Sequence, residues 1–138
     1  MSDLEEPTKY FAKTCHLRDD PEAIAMYVNE HKRVWPEVLI GLRECGVIEM
    51  KIWILSNRLF MYCECLPEFD PLRDWARYTS HHPRIKEWEM LMQTVQIPPP
   101  EFSSSSDRWI EMKQIFSLSS QLSSLHPYDP TDELSNLF

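Results

Sequence analysis

The sequence predicts an α+β domain in which two helical regions alternate with four strands in the order β-α-β-β-α-β. Three observations carry that prediction. Aromatic, β-branched or alternating segments stand at residues 10–17, 47–66 and 108–118. The two long stretches between them repeat their apolar residues at helical spacing. Each of those stretches opens with an aspartate followed by a proline, Asp20-Pro21 and Asp70-Pro71, the pairing that caps and starts a helix.

The elements follow in order. "YFAKTCHL" (10–17) has the composition of a first strand. From Asp20, the residues Ile24, Tyr27, Val28, His31, Trp35, Val38, Leu39 and Leu42 recur at helical spacing until Gly46 stops the run, and Pro36 must bend this helix or split it. "VIEMKIWIL" alternates, placing Ile48, Met50, Ile52 and Ile54 on one face and Val47, Glu49, Lys51 and Trp53 on the other. A short turn, "SNR", returns the chain through "LFMYCECL", so residues 47–66 form a hairpin. A second helical region runs from Asp70 to about residue 95 in two pieces divided at Pro83. The loop "QIPPPEFSSSSD" leads to "RWIEMKQIFSL", the fourth strand. Residues 1–9 are an N-terminal arm, 10–118 the domain, and the polar residues 119–138 a tail expected to be extended or disordered.

This order is the ferredoxin-like, split β-α-β arrangement: an antiparallel sheet with both helical regions on one face. The opposite face, with Trp53 and Tyr62 on it or near its edge, then needs cover. A homodimer closing a dimeric α+β barrel is the economical way to supply it.

Composition removes several functions. A net charge of −8, from 22 acidic against 14 basic residues, is a poor match to a phosphate backbone, so no nucleic acid is expected as a partner. No segment approaches membrane-spanning length, and "MSDLEEPTKY" lacks the basic and apolar regions of a signal peptide; a cytoplasmic protein without membrane association is expected. Only Gly41 and Gly46 are glycines, which excludes glycine-rich nucleotide loops. Cys15, Cys45, Cys63 and Cys65 match no metal or redox spacing and read as small apolar residues. Adjacent His81 and His82 cannot face one point on a helix and read as a helix break, so no metal is expected. His16 reads as a surface residue, Trp75 and Tyr78 as core, Trp109 as dimer packing, and Lys51, Arg58 and Glu64 as cross-strand charges.

Tyr27, His31 and Trp35 are spaced four apart and therefore share one helical face. An imidazole that titrates near neutrality and a phenol are the groups used for acid-base chemistry on hydroxyls, and an indole offers a flat apolar plate for a sugar ring. On spacing alone, half-buried packing residues of an amphipathic helix are the better fit.

The run "YVNEHKRVWPEV", followed by "LRECGVIEMKIWIL", "RLFMYCEC" and the closing "EMKQIFSL", resembles the L-rhamnose mutarotase family over residues 10 to about 118. That family carries Tyr-x-x-x-His-x-x-x-Trp-Pro-Glu between its first two strands. The resemblance implies a dimeric ferredoxin-like α+β barrel with no metal or organic cofactor. It also implies a monosaccharide substrate whose α and β anomers are interconverted, with His31 the principal proton-transfer residue and Tyr27 beside it. The family has two adjacent tryptophans in the second helical region. Here the place reads "KEWEM", so Trp88 matches and Glu87 replaces its neighbour, while Trp53 stands where the family tends to have a tyrosine. The implied sugar-contacting set is Trp35, Trp53, Glu87 and Trp88. Two other functions fit the same fold: a cofactor-independent monooxygenase, which needs a deep apolar slot, and a non-catalytic sugar-binding module, which would bind without anomeric exchange.

Overall fold

A computed structural model describes residues 8–125. At the centre of its sheet lies β1 (Lys9–Leu17), paired antiparallel along one edge with β3 (Arg58–Cys65), which in turn pairs with β2 (Val47–Leu55). The other edge of β1 is shared by two short fragments: β4 (Gln96–Ile97) opposite His16 and Leu17, and β5 (Ile110–Met112) opposite Ala12 to Thr14. The single fourth strand expected over 108–118 is thus replaced by two pieces. Pro98, Pro99 and Pro100 have no N–H to give a ladder, and residues 98–109 leave the sheet through a short 3-10 turn at Pro100–Phe102.

Helix α1 (Pro21–Glu30) starts at the predicted cap, with the Asp20 carboxylate accepting the Glu22 N–H at 2.9 Å. Pro36 splits the helical run, and α2 (Pro36–Glu44) begins there. Gly46, at φ 110°, turns the chain out of α2, and its carbonyl accepts the Leu66 N–H at 2.9 Å. A β-carbon at Gly46 would meet the Phe69 ring at 3.3 Å, and one at Gly41 would lie 2.5 Å from Ile85, so α2 can approach α4 this closely only without a side chain there.

Helix α3 (Pro71–Ser80) is capped by Asp70, which accepts the Leu72 N–H at 3.0 Å. Beneath it Asp74 is almost wholly buried. It accepts from the Asp70 N–H and from Arg73 and Arg77, which hold its carboxyl well below the usual carboxylate range. Helix α4 (Pro83–Gln93) begins at His82, whose Nδ1 accepts the Arg84 N–H at 3.0 Å; the histidine pair marks a helix break. The last helix among the described residues, α5 (Leu118–Ser123), is capped by Ser117. It replaces the first part of the expected extended tail, because the Ser117 hydroxyl satisfies the Ser120 N–H at 3.3 Å. Most of the arm (1–7) and the rest of the tail (126–138) lie outside the described residues.

All four helices α1 to α4 cover one face of the sheet. Leu17, Leu59 and Met61 from the strands meet Val38, Ile85 and Met92 from the helices. The four cysteines are free and buried in this core. Burial pushes the Cys15 thiol to about 12 and that of Cys45 to about 11, so both remain protonated packing groups. A register shift between Val47 and Glu49 corrects the expected alternation: the bulge turns Val47 to the core side with Met50 and Ile52, rather than opposite them.

The other sheet face carries Tyr10, Trp53, Phe60, Tyr62 and Met112, with the Trp53 and Phe60 rings tilted against each other at 5.6 Å and those of Tyr10 and Tyr62 at 6.3 Å. Lys51, Arg58 and Glu64 form no ion pairs among the described residues; Glu64 instead accepts the Tyr62 hydroxyl at 2.9 Å. Trp109 turns toward the core rather than this face, and His16 is buried rather than at the surface. Among the described residues no helix is long and apolar enough to cross a membrane.

Gly46→Ala is expected to cost about 1–3 kcal/mol, because alanine pays the positive-φ strain and presses on Phe69. A urea melt with a lower midpoint and an unchanged slope is the expected result.

Candidate active site

The helix layer does not close fully on the sheet. Between them lies a cavity of about 860 Å³, lined along one side by residues of β2. Its walls are largely aliphatic, with Val38, Leu42, Ile52 and Met61 among them; Tyr27, His31, Glu89 and Gln96 are among its polar lining residues, and charged side chains such as Lys13, Arg43 and Glu49 line it as well.

Tyr27 and His31 owe their placement to the end of α1. His31, the residue that closes α1, gives its backbone N–H to the Tyr27 carbonyl at 3.2 Å and turns its ring back onto the same oxygen, which has a second lone pair to offer. Its Nδ1 lies 2.8 Å from the Tyr27 carbonyl. A carbonyl can only accept, so Nδ1 carries the proton and Nε2 keeps its lone pair. Among the described residues Nε2 has no hydrogen-bond partner, and it is not sealed from solvent. The imidazole stacks on the Tyr27 ring at 4.0 Å and meets the edge of Trp88 at 5.3 Å. Burial lowers the His31 pKa from its ordinary 6.5 and raises that of the Tyr27 phenol, so near neutrality the pair is a neutral imidazole beside a protonated phenol.

Trp88 is buried on α4 and lines the cavity. Trp35, in the break between α1 and α2, packs edge-on against Trp88 at 5.2 Å from behind, with the Arg84 guanidinium 3.7 Å over its ring. It therefore buttresses the cavity wall. Glu87 is not brought to the cavity: its carboxylate is 56% exposed and bonds Arg84 at 2.8 Å, one turn earlier on the outer face of α4. Trp53 reaches the rim from the opposite sheet face, where it is 53% exposed.

Comparison with known proteins follows this geometry. The profile of the family described as L-rhamnose mutarotase matches residues 10–118. The chain belongs to the L-rhamnose mutarotase family. An L-fucose mutarotase of Xanthomonas campestris pv. campestris is 37% identical over 109 residues, covering 78% of this chain and 86% of that protein. A UPF0734 protein of Dictyostelium discoideum is 41% identical over 88 residues, 64% of this chain and 70% of its own length. The crystal structure of an L-rhamnose mutarotase from Formosa agariphila superimposes with a TM-score of 0.57 at 20% identity, over 80% of this chain and 98% of the other, and agrees in fold.

Three polar residues of this L-rhamnose mutarotase family member escaped the sequence reading. Glu89 projects into the cavity, and burial raises its carboxyl pKa against the lowering pull of Arg108. It occupies one position of the stripe Ile85, Trp88, Glu89, Met92, and a carboxylate on an otherwise apolar helical face was the available signal. Gln96 lies on β4, two residues long and without periodicity. Arg108, at the far end of the proline-rich loop, reaches back to Gln96 at 2.9 Å and toward Glu89 at 3.8 Å.

Nitrogen-15 NMR of the imidazoles at pH 7 should find His31 as the Nδ1–H tautomer, titrating below 6.5. A dominant Nε2–H signal would contradict the assigned hydrogen bond.

Proposed function

We propose that this family member is a mutarotase that interconverts the α and β anomers of a 6-deoxy-L-hexopyranose, L-fucose or L-rhamnose, by acid-base catalysis from its own side chains. The observation that carries the reading is the Nδ1 bond from His31 to the Tyr27 carbonyl, which leaves a free basic Nε2 beside a protonated phenol in one cavity. Both sugars named for the relatives carry a methyl group at C5 in place of a hydroxymethyl. The aliphatic wall around Val38, Leu42 and Ile52 suits that methyl, and Glu89 can accept from sugar hydroxyls.

In this reading Nε2 of His31 removes the proton from the anomeric O1 while the Tyr27 hydroxyl donates its proton to the ring oxygen. The C1–O5 bond breaks as C1=O1 forms, giving the open-chain aldehyde. Rotation about C1–C2 presents the other carbonyl face. The C5 hydroxyl then closes onto C1, returning its proton to Tyr27 while His31 reprotonates O1. In the open-chain stage an imidazolium and a phenolate stand ring on ring and offset each other's charge. Trp88 supplies an apolar surface for the ring.

The same reading makes a second copy the cover of the open sheet face, since Tyr10, Trp53 and Phe60 form an exposed aromatic patch there. Light scattering should then give twice the monomer mass, and Phe60→Glu should shift it toward the monomer.

Exchange NMR on the anomeric protons of L-fucose and L-rhamnose tests the activity. Catalytic amounts of protein should produce exchange cross-peaks. His31→Gln should lose ~10²-fold or more in rate while keeping its circular dichroism, and Tyr27→Phe should lose a comparable share. Because the neutral imidazole is the active form and burial depresses its pKa, the rate should hold from pH 6.5 upward and fall only at lower pH as Nε2 takes a proton. The raised Tyr27 pKa puts no alkaline limb below pH 10. Full activity of His31→Gln would sink the mechanism, and binding without exchange in the wild type would identify a sugar-binding module instead.

A further inference from the structure

The acid-base pair does not explain why a buried amide lines the cavity with a guanidinium bonded behind it. Gln96 lies between Arg108 and Tyr27. The Arg108 Nε–H donates to Gln96 Oε1 at 2.9 Å, and Gln96 Nε2 faces the Tyr27 hydroxyl oxygen at 3.5 Å. The backbone holding this side chain is fixed, because Gln96 is paired with Leu17 and Val95 accepts the Arg18 N–H at 2.9 Å.

Donor chemistry gives this arrangement a direction. A guanidinium has five N–H groups and no acceptor, so it can face only the oxygen of an amide. Reversing Gln96 would set NH₂ against N–H in a buried place, at a cost of the order of a lost hydrogen bond. Arg108 thus forces the amide nitrogen toward Tyr27, and an amide nitrogen only donates. At this contact the phenol oxygen must accept, which leaves its own proton for the cavity.

We propose that Gln96, oriented by Arg108, is the positioning residue that aims the Tyr27 proton at the substrate's ring oxygen. The inference rests on the mutarotase reading and extends it to two residues outside the Tyr-His-Trp pattern. The same N–H also supports the phenolate oxygen as its proton leaves, and this bond opposes the upward pull of burial on the phenol. Glu89, 3.8 Å from the far side of the guanidinium, helps to hold Arg108 in place.

A pair of substitutions separates this role from simple packing. Gln96→Glu keeps the shape but presents only acceptors to both neighbours while ionised beside Arg108; the Tyr27 proton then turns to the new carboxylate and away from the sugar. Gln96→Leu removes the amide yet leaves the phenol free to donate. For anomeric exchange of L-fucose, Gln96→Glu is expected to lower kcat by ~10²-fold with KM changed by less than about threefold, whereas Gln96→Leu lowers kcat by about tenfold. Arg108→Met should lower kcat by a similar tenfold, and adding it to Gln96→Leu should cost nothing more.

A packing role predicts the reverse order, with the isosteric Gln96→Glu the milder change. That order, or a kcat for Gln96→Glu within about twofold of wild type, overturns the proposal while leaving the mutarotase reading intact. Absence of exchange in the wild type overturns both. A readout free of turnover is the Gln96 side-chain amide in a ¹⁵N spectrum, assigned by its loss in Gln96→Leu. It should move in Tyr27→Phe; an unmoved signal removes the contact on which the proposal stands.

Discussion

Pro36 offers no N–H, and its ring clashes with the carbonyl four residues earlier, so the helix carrying Tyr27 cannot continue to Trp35. Much of the site follows from that interruption. Helix α1 ends at Glu30, and His31 closes it in αR geometry with its N–H on the Tyr27 carbonyl at 3.2 Å. The imidazole takes the Tyr27 carbonyl, fixes its own tautomer and lies down on the Tyr27 ring. Trp35, released from the helical stripe, caps α2 and packs behind Trp88. One proline thus divides a stripe of three side chains into a stacked pair facing the cavity and a buttress behind it.

Burial acts on that pair in opposite senses. Desolvation disfavours any charged form, so it lowers the pKa of the imidazole and raises that of the phenol. The gap between them keeps the base unprotonated and the acid protonated over several pH units around neutrality. The proposed mutarotation asks for no more than this, since its uncatalysed counterpart already proceeds in water and positioned proton transfer contributes roughly 10²- to 10⁴-fold. The Glu89, Arg108 and Gln96 cluster sits in the same apolar surroundings, where each polar group must find a partner; this is why its hydrogen bonds have a defined direction.

The framework was legible because its signals are local. Asp20-Pro21 and Asp70-Pro71 fix helix starts through one carboxylate and one missing N–H, Gly46 fixes a stop through its φ, and alternation with a two-residue turn fixes the hairpin. Helical spacing and the family pattern both point to Tyr27 and His31, and the family pattern alone adds Trp88; all three line one cavity. What failed was long-range. The family pattern points to Glu87, which stands in place of a tryptophan, yet the rotation of α4 against the sheet puts Glu89 inward and Glu87 beside Arg84. Gln96 and Arg108 are twelve residues apart across a proline-rich loop, and only the shared edge of β1 brings them together. The bulge at Val47–Glu49 likewise reverses a face that alternation assigns without ambiguity.

The divided fourth position of the sheet separates two jobs that a continuous strand would combine. Residues 96–97 and 110–112 complete the sheet, while the segment between them crosses the surface with exposed serines at 103 and 104. Its feet are stapled through the Gln96–Arg108 hydrogen bond, so its length is decoupled from the sheet register. Each doubling of such a loop costs only about 0.6 kcal/mol of closure entropy. The fold therefore contains a natural graft point, where an inserted peptide would be displayed at the surface without shifting the cavity it borders.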